Sequence, residues 1–165
     1  MTIEFTLPGG SKTLVDDEDA GLLATHSWSL CGWRGRYVGT SRRVAGQWRT
    51  IYLHRLILNP PEGLEVDHIN ENPLDNRRCN LRVATRGQNE QNHVAPRGQS
   101  VTGIRGVSYN PKRDRPRPYR AKIWLNRKEV QVGDFETAEQ ARDAVIAARR
   151  RHYTHAPRPA ALGEV

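Results

Sequence analysis

The sequence predicts an α+β chain: two small regions of antiparallel strand, each closed by a helix. Three observations carry that expectation. Short apolar runs with strand-like alternation recur along the chain. Two stretches join a capping signature to a helix start. A Pro-, Gly- and Ser-bearing segment, residues 95–102, separates the two patterned regions as a linker.

Residues 1–50 read as a β-rich leader that packs on the region after residue 50. Leu14-Val15 leads into Asp16-Asp17-Glu18-Asp19 and then Leu22-Leu23, a strand followed by a short helix with acids in its first turn. Strands are expected at Arg36–Gly39 and Trp48–Leu53 around a glycine-containing connection. Trp28, Trp33 and Trp48 are expected in a small core. Residues 51–94 take the order strand (Leu64–Val66), long polar loop, strand (Leu81–Val83), helix. Thr85 at the N-cap and Gln88 three residues on start that helix. Residues 103–155 read as strands Arg105–Tyr109, Tyr119–Leu125 and Lys128–Val132 and a helix capped by Thr137 and Gln140. Ala141, Ala144, Val145 and Ala148 give that helix an apolar stripe narrow enough to lie close on a sheet. Residues 156–165 are expected to be a flexible tail.

Composition narrows the class. No run approaches 18 apolar residues and the start lacks a basic-then-apolar signal, so a soluble, unprocessed, cytoplasmic protein without membrane contact is expected. Cys31 and Cys79 lie far apart, outside any CxxC pair, which gives neither a zinc knuckle nor a disulfide framework. The net charge of +8 is uneven: residues 1–94 hold 11 Lys+Arg against 11 Asp+Glu, whereas residues 95–165 hold 15 against 7, and 15 − 7 accounts for all of it. A basic excess interleaved with strand-like apolar positions is the footprint of a nucleic-acid binder.

Asp67-His68, Asn80, Asn89, Asn92 and His93 fall within a short stretch. The helix from Arg86 is expected to set Asn89, Asn92 and His93 on one face. Asp67-His68 ends a strand that pairs antiparallel with Leu81–Val83, so strand end, loop and helix face converge. A carboxylate with amide or imidazole donors suits a hard divalent cation, and an adjacent histidine is able to take a proton from water near neutral pH. Metal and base together meet the needs of phosphodiester hydrolysis. Alternation sets Asp67 and His68 on opposite faces unless the strand ends or bulges there.

The run Val66-Asp67-His68-Ile69-Asn70, Leu74–Arg82, Thr85–Asn89 and Asn92, with the lead-in Tyr52–Leu58, resembles the HNH endonucleases common in phages. That resemblance implies a ββα-metal (His-Me finger) core over 51–94. It implies His68 as general base, Asn80 as the residue that fixes the loop and orients His68, and Asp67 and Asn89 as ligands of one divalent ion, Mg²⁺ or else Mn²⁺. In the colicin-nuclease branch a third ligand lies where His93 lies here; the phage homing branch uses the Asp/Asn pair, and His93 is then a helix-surface residue. Arg55, Arg77, Arg78 and Arg86 are candidate phosphate contacts or solvated surface arginines. His54 reads as a packing or hydrogen-bonding residue rather than a metal ligand.

Gly103–Val107, Tyr119–Ile123, Val132–Phe135 and Thr137–Ala141 resemble the DNA-binding domain of plant ethylene-response factors, the Apetala type. The resemblance implies a three-stranded sheet that meets duplex DNA and is backed by one helix. Alternation sends Ala121, Ile123 and Leu125 to the helix and Arg120, Lys122 and Trp124 to the other face, with Arg105, Arg127 and Lys128 as further DNA contacts. Ser108 and the loop from Asn110 to Pro118 depart from the plant pattern, so base preference does not carry over.

The expected activity is thus a metal-dependent DNA endonuclease, a monomer or homodimer with no obligate protein partner. The competing reading is a non-catalytic, sequence-specific DNA-binding regulator with a relic HNH part. Asp67, His68, Asn80 and Asn89, all present, favour the endonuclease.

Overall fold

A computed structural model describes residues 1–32, 35–96, 100–111, 116–126 and 128–156. The chain divides into two compact units, residues 1–89 and 90–165.

The first unit opens with a hairpin, β1 (Thr2–Thr6) and β2 (Lys12–Asp16), paired antiparallel with Ile3 opposite Val15. The acids after β2 form a 3₁₀ turn, Asp17–Asp19, ahead of the short helix α1 (Ala20–Ala24). The next sheet has the order β3-β4-β5: β3 (Ser29–Cys31), β4 (Tyr37–Val44) and β5 (Gln47–Tyr52). Gly39 in β4 is required by space, since a Cβ there would meet the sulfur of Cys31 and lie 3.0 Å from the Ile51 carbonyl oxygen. Helix α2 (Leu53–Leu58) leads to β6 (Glu65–His68), which pairs antiparallel with β7 (Leu81–Ala84) before α3 (Arg86–Asn92). Thr85 and Gln88 cap α3 reciprocally: the Gln88 N–H donates to Thr85 Oγ1 at 3.3 Å and the Thr85 N–H to Gln88 Oε1 at 2.8 Å.

These elements share one core. Leu7, Val15, Leu23, Trp28 and Val38 pack with Leu53, Ile57, Val66 and Leu81, all buried. Burial of each such side chain stabilises by roughly 1.5–3 kcal/mol. The apolar residues of β2, α1 and β4 thus share one core with Val66 of β6 and Leu81 of β7. Trp28 anchors this core with its indole N–H donated to the Leu22 carbonyl at 3.1 Å. Trp48, expected in the core, is 73% exposed, because the distal half of the β4/β5 hairpin runs past the core and buries neither face. Trp33 lies outside the described residues.

The second unit is a three-stranded antiparallel sheet of order β10-β9-β8 with one long helix. Its strands are β8 (Val107–Tyr109), β9 (Tyr119–Leu125) and β10 (Lys128–Phe135), and a register shift between Gln131 and Gly133 bends β10. Helix α4 (Ala138–His152) starts at Thr137, whose hydroxyl accepts from the Gln140 N–H at 3.2 Å, and Gln140 Oε1 accepts from the Glu136 N–H. Val107, Ala121, Ile123, Ala141 and Val145 form the buried interface between sheet and helix. The small side chain of Ala141 allows the close approach. Gly106, at φ +89°, is required where β8 begins: a Cβ would lie 2.6 Å from the Lys122 carbonyl oxygen. Among the described residues no helix is long and apolar enough to cross a membrane.

Candidate functional site

The site is built on β6, the loop after it, β7 and the first turns of α3. Strand β6 ends at His68, and the Glu71 N–H donates to the His68 carbonyl in the next turn. Asp67 and His68 are both buried, at 4% and 6% exposure, although alternation directs them to opposite faces. Each therefore has its own surroundings.

His68 faces aromatic rings and an amide. Its Nε2 donates to Asn76 Oδ1 at 3.3 Å, because that oxygen only accepts. The bond holds the ring proton on Nε2 and leaves Nδ1 as the acceptor nitrogen. Asn76 is fully buried; its Nδ2 donates to Thr13 Oγ1 at 2.9 Å and its N–H to the Leu14 carbonyl at 2.8 Å. Strand β2 thus positions the partner of His68. His54, on α2, stands edge-on to His68 at 5.1 Å and stacks on Tyr52 at 5.4 Å. Tyr37 lies 6.2 Å from His68. Burial lowers the His68 pKa, outweighing the opposing effects of Asn76, Asp67 and Asp75, so the ring is neutral at pH 7. His54 is pushed down to about 3 by burial, by His68 and by Arg55.

Asn80 serves the loop. It is buried; its Oδ1 accepts from the Asn70 N–H at 3.0 Å and its Nδ2 donates to the Asp75 carbonyl at 2.8 Å. The Ile69 N–H also donates to the Asn80 carbonyl. Asn80 therefore closes the loop on itself, while the hydrogen bond that orients His68 comes from Asn76. Asp75 is held by Arg77 through two bonds of 2.7 Å, which keep its carboxyl below the usual range despite burial.

The other face of β6 carries Glu65 and Asp67. Asn89, on α3, donates through Nδ2 to Glu65 Oε2 at 2.6 Å. Arg82, the cross-strand partner of Asp67, directs Nε and Nη2 to Asp67 Oδ2 at 2.8 and 2.7 Å. The donor set of Asp67, Asn89 and Glu65 consists of carboxylate and amide oxygens, the chemistry a hard divalent ion takes. The Arg82 guanidinium offsets the buried charge of Asp67. His93 lies one residue beyond α3, is exposed and belongs to the second unit. It therefore does not continue the helical face of Asn89 and Asn92 that the sequence suggests, because the helix stops at Asn92.

The arginines divide by partner. Arg77 is committed to Asp75. Arg78 lies across three carboxylates: its N–H donates to Asp16 at 2.8 Å and its side chain pairs with Glu18 at 2.9 Å and Asp19 at 2.8 Å. Asp16, Glu18 and Asp19 are the one cluster of three His, Cys, Asp or Glu side chains close enough to share an ion among the described residues, and Arg78 already meets their charge. Arg55 donates to the Leu64 carbonyl, and Arg86 is exposed at the start of α3.

In the second unit β9 alternates as expected. Ala121 and Ile123 are buried, and Trp124 is 55% exposed on the face of Arg120 and Lys122. Both cations have acidic cross-strand partners: Arg120 pairs with Asp134 at 2.9 Å and Lys122 with Glu129 at 2.8 Å. Arg105 turns away to the Ala95 and Glu90 carbonyls. Lys128 is exposed, and Arg127 lies outside the described residues.

Sequence reasoning misses Asn76, Arg82, Glu65 and the part that Tyr37 and Tyr52 play in the ring cage, whereas His54 packs against those rings as the sequence suggests. For Arg82 and Glu65 a signal is present: both stand two residues or one cross-strand position from Asp67 on the same face.

Residues 52–91, which span α2, β6, β7 and most of α3, match the HNH endonuclease family. Over 142 residues the chain is 29% identical to an uncharacterized HNH endonuclease of Acanthamoeba polyphaga mimivirus, covering 84% of this chain and 71% of that protein. Over 54 residues it is 35% identical to Protein 3.8 of Escherichia phage T7, covering 33% of this chain and 44% of that protein. No solved structure matches the chain.

Proposed function

We propose that this chain is a divalent-metal-dependent DNA endonuclease centred on His68, Asp67 and Asn89, with the second unit as a DNA-binding module of ethylene-response-factor type. One observation carries the reading. The HNH match covers the segment in which a buried histidine is kept neutral and in one tautomer, and the same strand carries the Asp67 carboxylate on its other face. A neutral imidazole with its proton fixed on Nε2 is competent to accept a proton from water at Nδ1.

Asp67 and Asn89 hold the metal in this reading, with Glu65 positioning the Asn89 amide. The bound ion supplies Lewis-acid stabilisation of the charge that develops on the phosphate. His68 takes the proton of the attacking water, and Asn76 keeps the ring in the orientation that presents Nδ1. Asn80 holds the loop rigid so that Asn76 stays in place. His93 is a helix-end surface residue in this scheme, as in the two-ligand branch of the family. The sheet face of Trp124, Arg120 and Lys122 contacts the duplex, with Lys128 at its hairpin end.

Nicking of supercoiled plasmid by purified protein in Mg²⁺ or Mn²⁺, abolished by His68→Ala, is the expected result. Absence of cleavage with any divalent ion, with DNA binding retained, would replace the endonuclease with the regulator.

A further inference from the structure

The charge of residues 1–94 cancels only on average. From Ala20 to Pro61 the chain has six arginines and no acidic residue. Three of them, Arg42, Arg43 and Arg49, lie on the outer half of the β4/β5 hairpin, where every residue from Ser41 to Thr50 is exposed. That half projects roughly 14 Å, four residue pairs at about 3.4 Å each. It turns back through Ala45 and Gly46, both at positive φ, as a tight two-residue connection.

The residues on this ribbon are costly for the isolated fold. Arg42 stands directly opposite Arg49 across the two strands, a like-charge pairing that destabilises a hairpin. No acidic residue pairs with Arg42, Arg43 or Arg49 among the described residues; Arg43 reaches only the Gly46 carbonyl and Arg49 only Gln47. Trp48, opposite Arg43, is 73% exposed. Nothing within the unit benefits from this arrangement, and a polyanion would.

Register ties the ribbon to the site. Tyr37, Gly39, Ser41 and Arg43 share one face of β4, and Tyr52, Thr50 and Trp48 share the same face of β5. At its inner end this face touches His68 and His54 through Tyr37 and Tyr52. At its outer end it carries Arg43 and Trp48. A duplex backbone with a phosphate at His68 has this face as its continuation.

We propose that the β4/β5 ribbon is a DNA-gripping element of the first unit, with Arg42, Arg43 and Arg49 on phosphates and Trp48 against the groove. A two-stranded ribbon is of a size that the major groove admits. The assignment rests on the proposed DNA substrate and adds a contact independent of the second unit.

The test is fluorescence anisotropy of the full chain on a labelled 30-bp duplex across a salt series. Arg42→Ser/Arg43→Ser/Arg49→Ser should weaken binding by on the order of 10- to 100-fold and reduce the salt slope by roughly 2–3, at about 0.9 per phosphate contact. Its melting temperature should equal or exceed that of the parent, since a repulsive pair is removed. Replacement by three lysines should restore the slope. Unchanged affinity and slope would overturn the proposal. So would a loss accompanied by a lower melting temperature that lysine does not repair, or arginine-dependent binding to phosphatidylglycerol vesicles in place of DNA. A parent protein that cuts nothing but shows the arginine-dependent slope would defeat the nuclease reading and support the ribbon.

Discussion

His68 donates from Nε2 to Oδ1 of the fully buried Asn76, 3.3 Å away, and Asn76 in turn is fastened to Thr13 of the N-terminal hairpin. This bond sets both the tautomer and the angle of the imidazole. Asn76→Ala should lower the cleavage rate by about 10- to 100-fold, the usual size for loss of a residue that orients an active group. The same change should lower stability by about 1–3 kcal/mol, because Thr13 Oγ1 loses its amide donor. Single-turnover cleavage under conditions where both proteins are folded separates the two effects; an unchanged rate would remove Asn76 from the site.

The pairing of Arg82 with Asp67 yields a second prediction. Arg82→Gln leaves a buried carboxylate without its guanidinium and should cost about 2 kcal/mol, less than for a fully buried pair because Arg82 is part-exposed. If Asp67 holds the ion, Mn²⁺ should raise the melting temperature of Arg82→Gln more than that of the parent. Equal shifts in the two proteins would place the ion elsewhere.

Asp75 links the site to pH. Its folded pKa lies below the ordinary 3.8, mainly because Arg77 bonds to it. The stability from this pair is present above about pH 4 and is lost as pH falls through the folded value. Asp75→Asn should melt lower than the parent at pH 7 and show a shallower decline below pH 4. A parallel decline in both proteins would assign the acid sensitivity to other carboxylates.

Trp124 tests the second unit. At 55% exposure it contributes little to the core, so Trp124→Ala should change the melting temperature by only a few degrees. It should still weaken duplex binding by about 5- to 10-fold in the anisotropy assay. Full affinity in this variant would separate the exposed sheet face from DNA binding.

Much of the site's scaffold is legible from local pattern. The Thr85–Gln88 cap, the β6–loop–β7 order and the alternation of β9 all arise from residues within a few positions of one another. Asn76 is not legible as the partner of His68, because its placement depends on Thr13, 63 residues away in sequence. Helix α2 (Leu53–Leu58) is not legible as a helix, because six residues are too few for periodicity to separate helix from strand. Trp48 escapes the sequence for a related reason: hydrophobic identity argues for burial, but only the length of the β4/β5 hairpin relative to the core decides it. The arginines of that hairpin are hidden when charge is averaged over 94 residues that also contain the acids around Asp16 and Glu65.

The bridge between Leu14 and Asp75, with the Leu14 N–H on the Leu74 carbonyl and the Asn76 N–H on the Leu14 carbonyl, also imposes a schedule. A ribosome finishes the N-terminal hairpin long before the loop that docks on it, and long-range pairings of this kind form late. His68 therefore lacks its Asn76 partner until synthesis has passed residue 76. A nascent or prematurely released fragment that stops short of β7 carries the leader and the histidine but not the partner strand of β6, so the pairing that fixes the end of that strand waits until synthesis has passed Leu81–Ala84.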